Sequence, residues 1–269
     1  MKNIITFDLE NWHDSEFIKI KNGADFVLEG LNRVLILLKK HETKATFFVT
    51  GDILKKYPNE IKRLFKSGHE IESHGYRHKM LNQMKKEDVK KDIIRSRDLI
   101  KSLTGRYPRG FRAPSWSITE KDFWIYEFLD KCGFKYSSSL FPINMGLYGS
   151  SKFPITPFEP LKGKKFLEWP IRPYEVFGLR IPFAGGFYFR LLNGTLINYF
   201  IKKINSKNLP VIIYLHPWEF CFDLPRTKMS ILGKIITYYG LKKNILKLDK
   251  VLSNFKFFPL GEIIENERY

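Results

Sequence analysis

Cysteine is scarce in this chain of 269 residues, which contains Cys132 and Cys221 and no other. Two cysteines cannot form the dense cross-links of a small disulfide-stapled domain, and these two fit no metal or redox spacing. The sequence therefore predicts a protein of a reducing compartment, with one disulfide bond left open as an alternative.

Long apolar runs are also missing. The longest, around 34–38 and 211–215, fall far short of the ~20 residues that span a bilayer. The run of apolar residues between Met1 and Asp8 is too short to be the apolar region of a secretory signal. A cytoplasmic protein is therefore expected, with a peripheral position at the inner face of the membrane as an option.

Acidic residues are outnumbered, 28 against 46 basic ones, which gives a net charge of +18. Such a charge favours polyanions or anionic membrane surfaces as partners. The lysines alternate with acidic and apolar residues, as on solvated helix faces, and no nucleic-acid motif accompanies them, so no nucleic-acid partner is expected. The basic amphipathic segment 227–255 could lie on an anionic membrane, although helices that pack on the fold are the favoured interpretation.

Hydrophobic residues make up 43% of the chain and aromatic residues 16%, enough for a large core and too much for intrinsic disorder. Short apolar strands alternate with amphipathic helices, and no repeat or linker interrupts 1–269, so one domain is predicted. The strands are expected at 3–7, 45–50, 69–73, 110–112, 165–169 and 211–215. The helices are expected at 25–40, 58–66, 86–103, 120–132 and 189–205, with loops and a hairpin in 142–186. About seven strands with crossover helices predict an α/β fold, an incomplete or distorted (β/α) barrel.

Reactive side chains follow the ends of several predicted strands, where such barrels carry their catalytic residues. Asp8 and Glu10 end the first strand, and their spacing points both carboxylates to one side. His74 and His78 are four residues apart, so one helical turn would bring both imidazoles to a single cation. A carboxylate with two histidines is typical of a catalytic zinc or iron site.

Each of these features has an ordinary explanation. An acid at a strand end often caps a helix or pairs with an arginine, and a histidine pair at this spacing is more often a surface coincidence. The segment HGYRH also lacks the glutamate of the HExxH motif, which argues against a metalloprotease. Function is favoured because five strand ends each supply a candidate, including Arg112, Glu168 and His216.

Six motifs in order carry a resemblance to a known family: TFDLEN (6–11), KATFFVTG (44–51), GHEIESHGYRH (68–78), GFRAPSWSI (110–118), LEWP (167–170) and IIYLHPWEF (212–220). The chain resembles the polysaccharide deacetylases of the NodB-homology group, carbohydrate esterase family four. AGGFYFRLL and HPWEF are most similar to the subgroup associated with exopolysaccharide biosynthesis. The resemblance implies a distorted seven-stranded (β/α) barrel and metal-dependent hydrolysis of an N-acetyl group from an amino sugar.

The resemblance also implies roles for individual residues. Asp8 would be the general base, held by Arg112. His74 and His78 would bind the metal, zinc in the first instance, with cobalt, nickel or iron as alternatives. His216 would be the general acid that protonates the leaving amine.

Three positions depart from the family pattern. The second of two adjacent aspartates, a metal ligand in the family, is Leu9 here, and Glu10 is the nearest replacement. Ser115 stands where many members have tyrosine, and its backbone N–H could still contact the oxyanion. Glu168 would orient His216, although its motif is a variant and a surface salt bridge is an equal alternative.

Trp116, Trp169 and Trp218 each lie beside a site motif. Aromatic faces suit sugar rings, so the three are candidate substrate contacts, with core packing as the alternative.

The expected activity is removal of acetyl from an N-acetylated saccharide of a surface glycan or from its nucleotide- or lipid-linked precursor. The alternatives are hydrolysis of another non-peptide amide or cyclic imide, an inactive glycan-binding protein and a membrane adaptor. The oligomeric state is not predicted.

Overall fold

The computed structural model describes residues 1–14, 26–146 and 148–266. Its chain divides into two compact units. The first unit comprises Met1–Ala45 and Pro182–Tyr269, and the second comprises Thr46–Ile181.

In the first unit, strand β1 (Asn3–Leu9) is buried along its whole length and pairs in parallel with β9 (Ile212–Leu215) and β10 (Phe257–Phe258). Phe7 is the partner of Leu215, so the ends of β1 and β9 lie side by side. The helices of this unit are α1 (Val27–Lys40), α6 (Gly186–Leu191), α7 (Gly194–Asn205), α8 (Ile231–Tyr238), α9 (Leu241–Asn254) and α10 (Leu260–Asn266).

In the second unit, five parallel strands pair in chain order: β2 (Thr46–Val49), β3 (Glu70–Ser73), β4 (Gly110–Phe111), β5 (Tyr136–Ser137) and β6 (Leu167–Glu168). The helices between them are α2 (Gly51–Lys56), α3 (Pro58–Lys66), α4 (Lys86–Thr104) and α5 (Trp124–Lys131). An antiparallel hairpin follows, β7 (Tyr174–Val176) and β8 (Leu179–Ile181). Parallel strands joined by helical crossovers are the arrangement that the alternating pattern predicts.

Local sequence explains where these helices begin and end. α3 starts on Pro58, whose ring suits the first helical position. α4 buries Val89, Ile93 and Ile100 on one side and ends at Gly105, whose φ of +77° is the left-handed conformation of a helix C-terminus.

The predicted elements agree with the structure to different degrees. The helix at 58–66 is confirmed residue for residue. The predicted helix 189–205 is two helices, because Asn193 caps α7 through a hydrogen bond from the Leu196 N–H (2.7 Å). The predicted start of the helix at Asp25 lies outside the described residues. Both cysteines are free thiols, so the disulfide alternative is wrong.

The basic segment 227–255 divides into two helices with different surroundings. α9 packs as expected, with Leu241 and Leu248 buried. α8 instead exposes Ile231 and Ile235. Within the part of the chain that the structure describes, no helix combines the length and the apolar character needed to cross a membrane.

Candidate active site

The histidine pair of the second unit lies in the turn that follows β3. The ring centroids of His74 and His78 are 5.1 Å apart. The pair meets through a turn and not through the helical turn expected from its spacing, because Gly75 has a φ of +71° and 74–80 contain no helix. The spacing correctly predicted that the two rings lie close together, but the helical turn predicted from it was wrong.

Asp92, on α4, holds this turn in place. Its Oδ2 accepts a hydrogen bond from the Tyr76 N–H (2.5 Å), and its Oδ1 accepts one from the Arg77 Nε (3.1 Å). A Cβ added at Gly75 would lie 3.0 Å from Asp92 Oδ2, so both its conformation and its neighbour favour glycine. Sequence reasoning missed Asp92, although an acid on the buried side of α4, in line with Val89 and Ser96, was a usable signal.

The hydrogen bond of His74 determines which ring nitrogen carries its proton. Nδ1 is 2.8 Å from the carbonyl oxygen of Arg112. Because a carbonyl oxygen only accepts, Nδ1–H is the donor, and Nε2 of the neutral ring keeps its lone pair. Metal-binding histidines are commonly oriented in this way.

Arg112, directly after β4, is fully buried and held by several contacts. Its Nε donates to the Ser138 carbonyl (3.0 Å) and its Nη2 to the Ser138 hydroxyl (3.1 Å). The guanidinium carbon lies 4.1 Å from the ring centroid of Phe48 and 5.1 Å from that of Trp116. The structure thus supplies a fixed cation after β4, and its predicted pairing with Asp8 stays a prediction.

Glu168 ends β6 and is buried in the second unit. Its Oε1 accepts hydrogen bonds from the backbone N–H groups of Ser139 (2.8 Å) and Leu140 (3.0 Å). Burial raises the pKa of the Glu168 carboxyl, and these hydrogen bonds offset the rise only in part. Its contacts anchor the loop after β5, and its predicted role in orienting His216 stays a prediction.

The other predicted contacts of the second unit are Ser115, Trp116 and Trp169. Ser115 and Trp116 form a tight turn with φ values of 52° and 54°. Trp116 lines a cavity of about 570 Å³ together with Tyr148 and Phe153, while Trp169 is buried. Their predicted contacts with a substrate stay predictions.

The first unit brings acids and a histidine together at the ends of β1 and β9. Asp8 and Glu10 flank Leu9, and all three side chains are buried. Successive residues of a strand point to opposite sides, so Leu9 contributes to the core while the two acids share the other side. His216 follows β9, and its Nε2 is 3.7 Å from Glu10 Oε1.

A second acid contacts the other nitrogen of this ring. Glu219 Oε2 lies 3.3 Å from His216 Nδ1 and accepts a hydrogen bond from the His216 backbone N–H (3.0 Å). Its Oε1 accepts from Arg190 Nε (2.8 Å), and both side chains of this ion pair are buried. Trp218 stacks on His216 with ring centroids 5.5 Å apart.

The neighbouring charges shift the pKa values of both His216 and Glu219. Burial alone lowers the pKa of His216, but the charges of Glu10, Glu219 and Asp8 outweigh it and raise the pKa to about 9. Burial alone raises the pKa of Glu219, but Arg190 and His216 outweigh it and lower the pKa to about 2. The pair is therefore an ionised carboxylate beside an imidazole that favours its protonated form.

Two families match this sequence. Residues 21–136 match the polysaccharide deacetylase family, and residues 138–265 match a domain of unknown function, DUF3473. Residues 21–136 belong to the polysaccharide deacetylase family. This match confirms the family recognised from the motifs, whose members are hydrolases of N-acetyl amide bonds.

Two curated deacetylases are similar to this domain. The peptidoglycan deacetylase of Helicobacter pylori is 37% identical over 114 residues, which cover 41% of this chain and 37% of the relative. The peptidoglycan-N-acetylglucosamine deacetylase of Bacillus cereus is 35% identical over 99 residues, 37% of this chain and 35% of the relative. The chain thus spans little more than a third of the length of these relatives.

Solved structures share the fold. A protein described as a probable polysaccharide deacetylase from Pseudomonas aeruginosa has a TM-score of 0.65 at 16% identity, with 98% of this chain and 89% of that chain covered. The Puue allantoinase has a TM-score of 0.64 at 15% identity and the same coverage. These likenesses confirm the predicted α/β fold, a distorted (β/α) barrel.

Proposed function

We propose that this chain is a metal-dependent N-deacetylase of an N-acetylated saccharide. The observation that carries the proposal is the histidine pair of the second unit. The rings of His74 and His78 are 5.1 Å apart, and a backbone carbonyl orients His74 as in metal sites. The match of 21–136 to the polysaccharide deacetylase family supports the same activity.

The residues present fit a divalent cation. His74 and His78 can each offer an imidazole nitrogen to an ion, and Glu10 would add a carboxylate oxygen. Two imidazoles and one carboxylate suit zinc, and also cobalt, nickel or iron. Because Leu9 belongs to the core, Glu10 is the proposed carboxylate ligand. When bound, the cation would polarise the amide carbonyl and lower the pKa of water.

The other residues would move protons and bind charge. Asp8 would take a proton from the attacking water. The backbone N–H of Ser115 would donate to the oxyanion that develops on the carbonyl oxygen. His216 would give a proton to the leaving amine, in an orientation that Glu219 fixes through its contacts with the ring and with the backbone.

The proposed substrate is a saccharide linked to a phosphate, either a nucleotide-linked or a lipid-linked precursor of a surface glycan. The net charge of +18 supports this class, since a phosphate is attracted to a positive field. A cytoplasmic location with peripheral membrane association belongs to the same proposal. Equal turnover of neutral and phosphate-linked acetamido sugars at low salt would contradict the phosphate linkage.

The first test is metal content, measured by mass spectrometry on the wild type and on Glu10→Ala, His74→Ala and His78→Ala. We expect about one divalent ion per wild-type chain and loss of that ion in all three variants. His41→Ala is the matched control, because His41 pairs with Asp249 (2.6 Å) and has no proposed role at the metal. Circular dichroism checks that each variant is folded.

Two outcomes would redirect the proposal. A folded wild type that binds neither zinc nor cobalt would contradict a metal-dependent hydrolase and favour a glycan-binding protein. A metal-loaded wild type that hydrolyses cyclic imides or other amides, and releases no acetate from acetamido sugars, would favour the alternative substrates. The shared fold of an allantoinase shows that the barrel alone does not select between them.

A further inference from the structure

Helix α8 presents a cluster of large apolar side chains to solvent, which we name the α8 patch. Its members and their exposed fractions are Ile231 (79%), Leu232 (61%), Ile235 (46%) and Tyr239 (50%). Single exposed apolar residues are ordinary, but several together on a short helix are typical of a surface that contacts a partner.

The exposure does not come from a loosely held helix. Ser230 caps α8 by accepting a hydrogen bond from the Gly233 N–H (3.1 Å). The opposite side is anchored, because Thr237 is buried and Tyr238 packs on a core cluster of Trp12, Trp218, Cys221, Leu224 and Leu241. Arg190 donates to the carbonyl oxygens of Ile236 and Tyr239 at 2.5 Å. The fold therefore holds the patch outward.

A basic cavity of about 570 Å³ adjoins the α8 patch, and Tyr239 belongs to both. Five cationic residues line it, with no carboxylate among the described lining residues: Arg190, Arg226, Lys242, Lys243 and Lys247. Arg190 is paired with Glu219, and Lys247 Nζ donates to backbone carbonyls, including that of Arg190 (2.9 Å). Arg226, Lys242 and Lys243 are the cations that can face an anion in this cavity.

We propose that the α8 patch and the basic cavity dock this chain on an anionic membrane. The patch would enter the boundary between headgroups and acyl chains, and the cavity would receive the phosphate of a lipid headgroup. A helix with apolar residues on one side and lysines beside it binds in this way, through buried apolar area and attraction to anionic lipids. This inference goes beyond the proposed activity and names the surface that would bring the enzyme to lipid-linked substrates.

The charge of the region favours a membrane over other partners. Between Phe222 and Lys247 there are six cationic residues and one acid, and the whole chain carries +18. A second copy of the chain would place like charges against each other, which opposes pairing through this face. Single-stranded nucleic acid binds on aromatic stacking platforms, whereas three of the four patch residues are aliphatic.

The cavity is connected to the proposed general acid within the first unit. Arg190 lines the cavity and also binds Glu219, whose Oε2 contacts His216. A phosphate bound by Lys242 and Lys243 would therefore lie in the cavity that Arg190 lines. Arg190 pairs with Glu219, which contacts His216, the proposed general acid.

Vesicle flotation tests the docking surface. Wild type is mixed with vesicles of phosphatidylcholine alone, or of phosphatidylcholine with phosphatidylglycerol. We expect flotation with the second kind only. The variant Ile231→Asp should reduce the bound fraction about tenfold or more, because an aliphatic side chain that would enter the membrane is replaced by a charged one. Ile36→Asp, on α1, is the matched control, since Ile36 is 68% exposed and lies outside the patch.

A second pair of variants tests the cavity. Lys242→Glu/Lys243→Glu should reduce the bound fraction by a similar factor, because two lysines that attract an anionic surface are replaced by acids. Lys202→Glu/Lys203→Glu, on exposed positions of α7, makes the same change in net charge and should float like the wild type. Metal content and acetate release from a soluble substrate are measured on every variant, so a failure of the proposed activity is distinguished from a failure of docking.

Three outcomes would overturn the inference. Equal flotation with both kinds of vesicle would show adsorption without recognition of anionic lipid. Flotation that the patch variant retains, or that Ile36→Asp loses equally, would remove α8 from the interaction. The third outcome is that inorganic phosphate raises the melting temperature of the wild type but not that of Lys242→Glu/Lys243→Glu, while both proteins float equally. The cavity would then bind soluble phosphates and not a membrane.

Discussion

Two buried carboxylates hold the two histidine segments of this protein in different ways. In the second unit, Asp92 accepts hydrogen bonds from the Tyr76 and Arg77 N–H groups and so fixes the main chain between His74 and His78. In the first unit, Glu219 contacts the ring of His216 itself.

This difference separates two kinds of histidine chemistry. The Asp92 carboxylate fixes the turn through backbone groups, and the ring of His74 is oriented by a neutral carbonyl, which suits a metal ligand. The ring of His216 lies between Glu10 and Glu219, and adjacent carboxylates favour a protonated imidazole, which suits an acid. In the proposed mechanism, the segment of His74 would bind the cation and the segment of His216 would transfer the proton.

Replacement of His216 by glutamine is expected to have the largest effect. Without a proton donor for the leaving amine, kcat for acetate release should fall ~10²–10⁴-fold. Metal content should remain that of the wild type, whereas His74→Gln should lose both metal and turnover. Acetate release and mass spectrometry on the same preparations measure both quantities.

Loss of metal from a folded His216→Gln protein would contradict the division. His216 would then belong to the ligand set, and its contact with Glu10 would have to be reinterpreted.

The next largest effect is expected for Glu219→Gln, which breaks a buried ion pair. The Arg190 guanidinium would stay buried without its partner charge, so the free energy of unfolding should fall ~3–5 kcal/mol. Glu175→Gln is the matched control, because its pair with Arg180 is partly exposed and should contribute ~1 kcal/mol or less. Urea unfolding at neutral pH measures both changes.

The same variant has an expected pH signature. The pKa of Glu219 falls from the ordinary 4.5 to about 2 on folding, so its ionised form stabilises the folded state above pH 4.5. This stabilisation is lost as the pH falls from 4.5 towards 2. Wild type should therefore lose more stability than Glu219→Gln across that window, and parallel curves would contradict the role of the pair.

Sequence patterns predicted much of the secondary structure and part of the candidate active site. Helix α3 and the strand-end positions of Asp8 and His216 follow from local rules, since a proline start and short apolar runs need no tertiary information. Strands β5 and β10, each of two residues, were missed, whereas β4 and β6 are equally short and were predicted within longer segments.

Tertiary packing decided the remainder. The apolar period of 227–255 suits both a helix that buries its apolar residues and one that leaves several of them exposed, and the structure contains one of each kind, α9 and α8. The partners of Glu219 could not be predicted either, because Arg190 lies 29 residues away in the chain. Similarly, the spacing of His74 and His78 predicted their proximity, but not the turn at Gly75 that produces it.

The smallest effect is expected in the second unit, at the carboxylate that fixes the turn between the two histidines. Asp92→Asn keeps the shape of the side chain but turns one acceptor oxygen into a donor that faces an N–H group. The free energy of unfolding should fall ~1–3 kcal/mol, as for a buried hydrogen bond left unmade. Because the turn that carries His74 and His78 would loosen, metal affinity should fall about tenfold, as for other groups that orient ligands.

Asp98→Asn is the matched control for Asp92→Asn, on the same helix but exposed and paired with Arg97. Its change in unfolding free energy should stay within about 0.5 kcal/mol. Metal affinity is measured by competition with a chelator, alongside urea unfolding. If Asp92→Asn lost stability but kept its metal affinity, the carboxylate would support only the fold. If it lost turnover as completely as His216→Gln while keeping its metal, Asp92 would act on proton transfer, and the separation of the two segments would be wrong.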